Sequence, residues 1–167
     1  MKMTKRRWVF TGLGVLAAGA IALLAWLYLV PDPVTDNAPH LKNFTTEEQV
    51  RKSQKIVDGL NTGDVMKVGV LRELSETDPQ SVAATKAEND TVASALPAAG
   101  CRYTLKSVDD EGEQGEKIVP GLIKESRVYL LNLNVDEECQ GRQTNSRTLG
   151  LYLVPYWGYW TPISFAR

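Results

Sequence analysis

The sequence predicts an α+β domain behind a single membrane-spanning helix. Three observations carry this. Residues 8–30 form a run of 23 residues without a charge, preceded by Lys2, Lys5, Arg6 and Arg7. Between Phe44 and Leu96 apolar residues recur at helical spacing, and after Gly100 the period changes to two. Helices first and strands after is the order of an antiparallel sheet with helices packed on one face.

The uncharged run amounts to roughly 34 Å of helix, enough to cross a hydrocarbon core of ~30 Å. Its backbone amides are satisfied within the helix, as lipid requires. Trp8 and Phe10 stand near one end and Trp26 and Tyr28 near the other, the positions of interfacial aromatic belts. Pro31 and Pro33 then stop the helix. The alternative is a cleaved signal peptide, but the run exceeds the usual h-region of ~7–15 residues and no A-x-A site follows it. Arg6-Arg7 is only a weak twin-arginine hint. With four positive residues before the span and Asp32 and Asp36 as the next charges, the positive-inside rule makes residues 1–7 a cytoplasmic tail, residues 8–30 the transmembrane helix, and everything after it extracytoplasmic. No cysteine lies near the span, which excludes a lipoprotein anchor. Gly14 and Ala18 form a small-xxx-small pair of the kind used in helix pairing.

Residues 31–43 read as a proline-stiffened linker that holds His40, the chain's single histidine. The domain, residues 44–167, opens with Thr45 and Glu48 in a T-x-x-E capping box. Val50, Ile56, Val57 and Leu60 follow as the apolar stripe of a helix. Gly63 ends that helix, and Asp64 caps a second in which Val65, Val68, Leu71 and Leu74 share a side, although β-branched residues weaken it. Asp78-Pro79 opens a third, alanine-rich helix that closes at Pro97 and Gly100.

Four strands follow. Cys101, Tyr103 and Leu105 alternate with Arg102, Thr104 and Lys106 in the first. Tyr129, Leu131, Leu133 and Val135 share a face in the second, and Leu149, Leu151 and Leu153 in the third. In the last, Tyr159, Thr161, Ile163 and Phe165 are in phase with Trp160 opposite. Between the first two strands, residues 109–125 form a long acidic hairpin loop.

Cys101 opens the first strand and Cys139 follows the second. An extracytoplasmic location favours a disulfide between them. Setting Cys101 opposite Cys139 also sets Leu105 opposite Val135 and Ser107 opposite Leu133, so the register that a bridge needs joins the apolar faces of both strands. A bridge of this loop length contributes on the order of 3–4 kcal/mol through chain entropy. A free reactive thiol is the rival, with no histidine in the domain to activate either cysteine.

Near-neutral charge gives no basic footprint for nucleic acid. The absence of histidine from the domain excludes His-based triads and His metal sites. Asp109, Asp110, Glu111, Glu113 and Glu116 lack EF-hand spacing and read as a solvated loop. No catalytic residue, metal or cofactor is expected. Asn43 and Asn89 lie in N-x-T sequons, which matter only in a eukaryotic secretory pathway.

The stretch from Ile56 to Leu71 and the late Gly158-Tyr159-Trp160 resemble the early helices and the C-terminal G-x-W signature of the nuclear-transport-factor-2-like (cystatin-like) superfamily. On a single N-terminal anchor, the domain is similar to actinobacterial envelope proteins of unknown function and to membrane components of conjugation and type IV secretion machines. The resemblance, over residues 44–167, implies a curved sheet wrapped around helices with a cone-shaped cavity. It places Trp160 at the superfamily's usual core tryptophan. Some members carry an Asp–Tyr active site in the cavity, but no aspartate is expected mid-strand beside the tyrosines here. The acidic hairpin loop departs from the family's pattern.

The expectation is therefore a non-enzymatic, membrane-anchored protein that binds or scaffolds a cell-envelope partner, most simply another envelope protein. Tyr156 and Trp157, at the turn between the last strands, are the candidate contact surface. The alternative is an apolar small molecule or lipid held in the cone, lined by Tyr103, Tyr129, Leu131, Tyr152 and Trp160.

Overall fold

A computed structural model of the chain describes residues 41–72 and 77–166. The predicted tail, span and most of the linker, residues 1–40, lie outside the described residues, as does Leu74. Among the described residues no helix is long and apolar enough to cross a membrane.

Helix α1 spans Thr46–Leu60. Thr45 caps it, its Oγ1 accepting from the Glu48 N–H at 3.3 Å, and Glu47 and Glu48 complement the positive end of the dipole. Its buried face is Gln49, Ser53, Ile56, Val57 and Leu60; Val50 lies outside that face and is exposed. The polar Gln49 is tolerated there because its amide donates to Asp110 Oδ2 at 2.7 Å.

The predicted second helix is only a 3₁₀ turn, Val65–Lys67, capped by Asp64. After it the backbone is extended, and the Leu71 N–H donates to the Pro162 carbonyl at 2.7 Å, covering part of an otherwise free sheet edge. Val65, Val68 and Val70 favour that extended course because branching at Cβ disfavours a helix. Helix α2 spans Pro79–Ala95, with Asp78 as N-cap and Pro79 at its first position.

The sheet is antiparallel and curved, with strand order β1-β2-β3-β4. The strands are β1 (Cys101–Lys117), β2 (Ser126–Cys139), β3 (Asn145–Tyr156) and β4 (Tyr159–Phe165). The α+β class thus stands, but β1 runs far into the predicted acidic loop. Its outer half is an edge, wet on most positions, so charged residues fit there and also discourage edge-to-edge pairing. Register breaks between Leu105 and Ser107, Asp110 and Gly112, and Glu113 and Glu116 bend it.

Those irregularities correct two expectations. Cys101 faces Cys139 and Leu105 faces Val135, but the break at Lys106 pairs Ser107 with Asn134 and brings Val108 opposite Leu133. In β4 a register shift between Tyr152 and Leu153 of its partner strand reverses the phase after Pro162. Phe165 therefore enters the same core as Trp160, while Ile163 joins a second cluster.

The main core gathers Ile56, Val57 and Leu60 of α1, Val92 and Ala95 of α2, and the inward residues of the sheet. The second cluster is Val119, Val128, Val154 and Ile163, with Leu71, Leu122 and Tyr152 against it. The β1–β2 connection supplies Val119 and Leu122 to this cluster, which gives the sheet apolar contacts on its other face.

Candidate functional site

The Cys101–Cys139 disulfide is formed, with Cα atoms 4.2 Å apart. It closes the open end of the β1–β2 hairpin, and a bridge of this kind belongs to an oxidising, extracytoplasmic compartment.

The five residues proposed to line a cone separate. Tyr103, Leu131 and Trp160 are buried in the main core, and Tyr129 is partly buried against it. Tyr152 packs on the opposite face, in the second cluster. It is paired with Leu130, one residue out of phase with Leu131, and neighbouring positions on a strand point to opposite faces. The buried inward side chains form one cluster with α1 and α2. A cavity of about 400 Å³ remains beside Tyr129 and Trp160, lined also by Lys42, Asn43, Glu113 and Arg127, so its wall is charged and not an apolar cone. The Tyr129 ring lies 5.4 Å from Phe44 and 5.1 Å from Trp160, centroid to centroid.

One aspartate does sit beside a tyrosine, contrary to expectation. Because β1 extends through residue 110, Asp110 stands opposite Leu131 and hydrogen-bonds the Tyr129 hydroxyl. Partial burial acts upward on Asp110, yet hydrogen bonds from Tyr129, Gln49 and the Gly112 N–H hold its carboxyl below the ordinary range. Burial, then the Asp110 hydrogen bond and charge, push Tyr129 up to about 12. Near neutrality the pair is a carboxylate that accepts a hydrogen bond from a protonated phenol. A second perturbed carboxyl, Glu88 of α2, is 1% exposed and raised to about 7 by burial, with Arg72 opposing. It sits below Gly121 and Ile163, 3.7 Å from Arg72 Nε. Among the described residues no cluster of three His, Cys, Asp or Glu side chains is placed to hold a metal ion.

The exposed aromatics are at the other predicted place. Tyr156 pairs with Tyr159, closing a two-residue turn of Trp157 and Gly158. Both turn residues have positive φ, 51° and 78°, the geometry of a tight I′ hairpin. Asn-Gly is the usual occupant. A bulky tryptophan in this region of backbone space is an outlier. Trp157 is 82% exposed, and its ring lies edge-on to Tyr156 at 6.1 Å. Tyr159, in phase with Ile163 and Phe165 on sequence, does not share their burial and is 40% exposed. The Lys42 ammonium donates to its hydroxyl and stands 4.4 Å from its ring centroid. The signal that could have found it is its place directly after a W-G turn, across from Tyr156.

Beside the turn the surface is largely apolar, with Lys124, Glu125 and Ser126 at its border. A groove of about 300 Å³ runs from Tyr156 past Pro155 and Val154 to Leu122 and Ile123 of the β1–β2 connection. Ile118 and Ile123 on that connection are exposed. These features share one end of the sheet, because β1 and β3 end where β2 and β4 begin. No protein-family model, curated protein or solved structure matches this chain, so these side chains alone carry the functional reading.

Proposed function

We propose that the chain is a single-pass, membrane-anchored extracytoplasmic protein whose domain, of the cystatin-like kind, carries out no chemistry and docks a cell-envelope partner through the β3–β4 turn. The observation that carries this is Trp157: an 82% exposed tryptophan, held at positive φ, whose one aromatic contact among the described residues is Tyr156. Strained backbone and unburied aromatic surface at one position are features of a binding site and do not serve a fold. The disulfide supports the compartment, and the uncharged run at residues 8–30 supports the anchor.

An apolar ligand in the cone is the weaker reading. Tyr103, Leu131 and Trp160 are buried in the main core with residues of α1, and the apolar groove lies on the opposite face of the sheet.

The test is photo-cross-linking. Full-length protein with benzoylphenylalanine at position 157, irradiated in its native membrane, is expected to give an adduct with an envelope component. The same probe at exposed Val82, on α2, should give none. A position 157 that yields no adduct would remove the docking surface.

A further inference from the structure

We propose that the partner of this surface is the lipid bilayer itself: Trp157, with Tyr156 and Ile123 beside it, inserts into the boundary between headgroups and acyl chains. The inference rests on the anchored, docking-competent protein proposed above and names what the turn docks onto.

The first argument is where the chain arrives. The Lys42 N–H donates to the Gly158 carbonyl at 3.0 Å, so the polypeptide comes into the domain at the aromatic turn. Only residues 31–41 lie between the uncharged run and Lys42, a reach of at most about 40 Å even when fully extended. Pro31, Pro33 and Pro39 stiffen that stretch. With the run embedded, a tether of this length keeps the Trp157 end within that distance of the bilayer.

The second argument is shape and chemistry. Three of the exposed apolar residues stand on the two connections at one sheet end, Trp157 on one and Ile118 and Ile123 on the other, while Val50, Met66 and Val82 are scattered singly over the helices and the 3₁₀ turn. Projecting apolar residues of this sort suit a boundary layer that accepts side chains to a depth of ~5–10 Å. Tryptophan and tyrosine combine an apolar ring with a polar N–H or O–H and favour that layer, while lysines such as Lys42 and Lys124 can extend toward headgroups. Lys117 and Lys124 are offset by Glu116 and Glu125, so apolar insertion and not charge attraction supplies the binding.

The experiment uses the full-length chain carrying Trp8→Phe and Trp26→Phe, which leaves Trp157 and the buried Trp160 as the emitters. It is reconstituted into phosphatidylcholine vesicles whose acyl chains carry bromine close to the headgroup. Most of the Trp157 emission should be lost relative to unbrominated vesicles, and adding Trp157→Phe should abolish the quenched component while the Trp160 signal persists as a check of the fold. Adding phosphatidylglycerol should leave the quenching unchanged. Equal emission with and without bromine would overturn the inference. If that result came with a protein adduct at position 157 in native membranes, the docking surface would stand and only its lipid assignment would fall. If neither quenching nor any adduct were found, both readings would fall.

Discussion

The backbone N–H of Lys42 donates to the carbonyl of Gly158, which ties the start of the folded domain to its last hairpin turn. The contact needs a main-chain donor at position 42, so Lys42→Pro should cost about 1 kcal/mol in urea denaturation, the net worth of one hydrogen bond. Lys42→Ala keeps the donor and removes only the exposed contact with Tyr159, so its loss should be smaller. Equal losses would mean that the side chain, not the backbone, makes the tie.

Trp157 occupies a conformation that asparagine adopts more readily. Trp157→Asn should leave the fold intact and raise the melting temperature slightly, by the equivalent of about 0.5–1 kcal/mol, while abolishing docking. A clear fall in melting temperature would show that the indole supports the domain.

The disulfide clamps the open end of the first hairpin. Cys101→Ser should lower stability by on the order of 3–4 kcal/mol under oxidising conditions. With reductant present, wild type and variant should melt together; a persisting difference would show that Cys101 contributes by packing and not by the bridge.

Glu88 makes stability depend on pH. Its folded value is raised to about 7 from an ordinary 4.5, mainly by burial. The folded state therefore holds the proton more tightly than the unfolded chain does. The stabilisation is complete below pH 4.5 and is lost as pH rises to about 7. The loss should be on the order of 1–3 kcal/mol in urea midpoints, and Glu88→Gln should flatten that part of the profile. An unchanged profile in Glu88→Gln would assign the dependence to another group.

Gly59, in the last turn of α1, is the fifth test. Alanine there would normally help a helix by up to about 1 kcal/mol. Here an added Cβ would come within 2.9 Å of the Lys67 carbonyl oxygen and Val68 Cα, backbone atoms that cannot swing aside. Gly59→Ala should therefore destabilise, by about 1–3 kcal/mol. A neutral or stabilising result would show that the 3₁₀ turn can move away from α1.

Much of this was legible in the residues. Caps are local chemistry, so Thr45 and Asp78 announced both helix starts. The apolar alternation of β2 and β3, read with the cysteine spacing, placed the hairpin register correctly from Cys101 to Leu105. Asp109 to Glu116 misled because solvated charges read as a loop, whereas an edge strand with water on its open side accommodates them. Tyr152 and Phe165 misled because alternation assigns faces only while register is unbroken and only relative to a known neighbour.

The sequence by itself determined the α+β order, the helix caps, the cysteine pair and the exposure of Tyr156 and Trp157, because each follows from neighbours a few residues apart or from a period kept over one strand. Only the tertiary structure decided that Asp110 meets Tyr129, that Glu88 is buried against Arg72, that Phe165 shares a core with Trp160, and that Lys42 meets Gly158. Those relationships join residues distant along the chain, and bulges and backbone crossings that no local pattern encodes set their geometry.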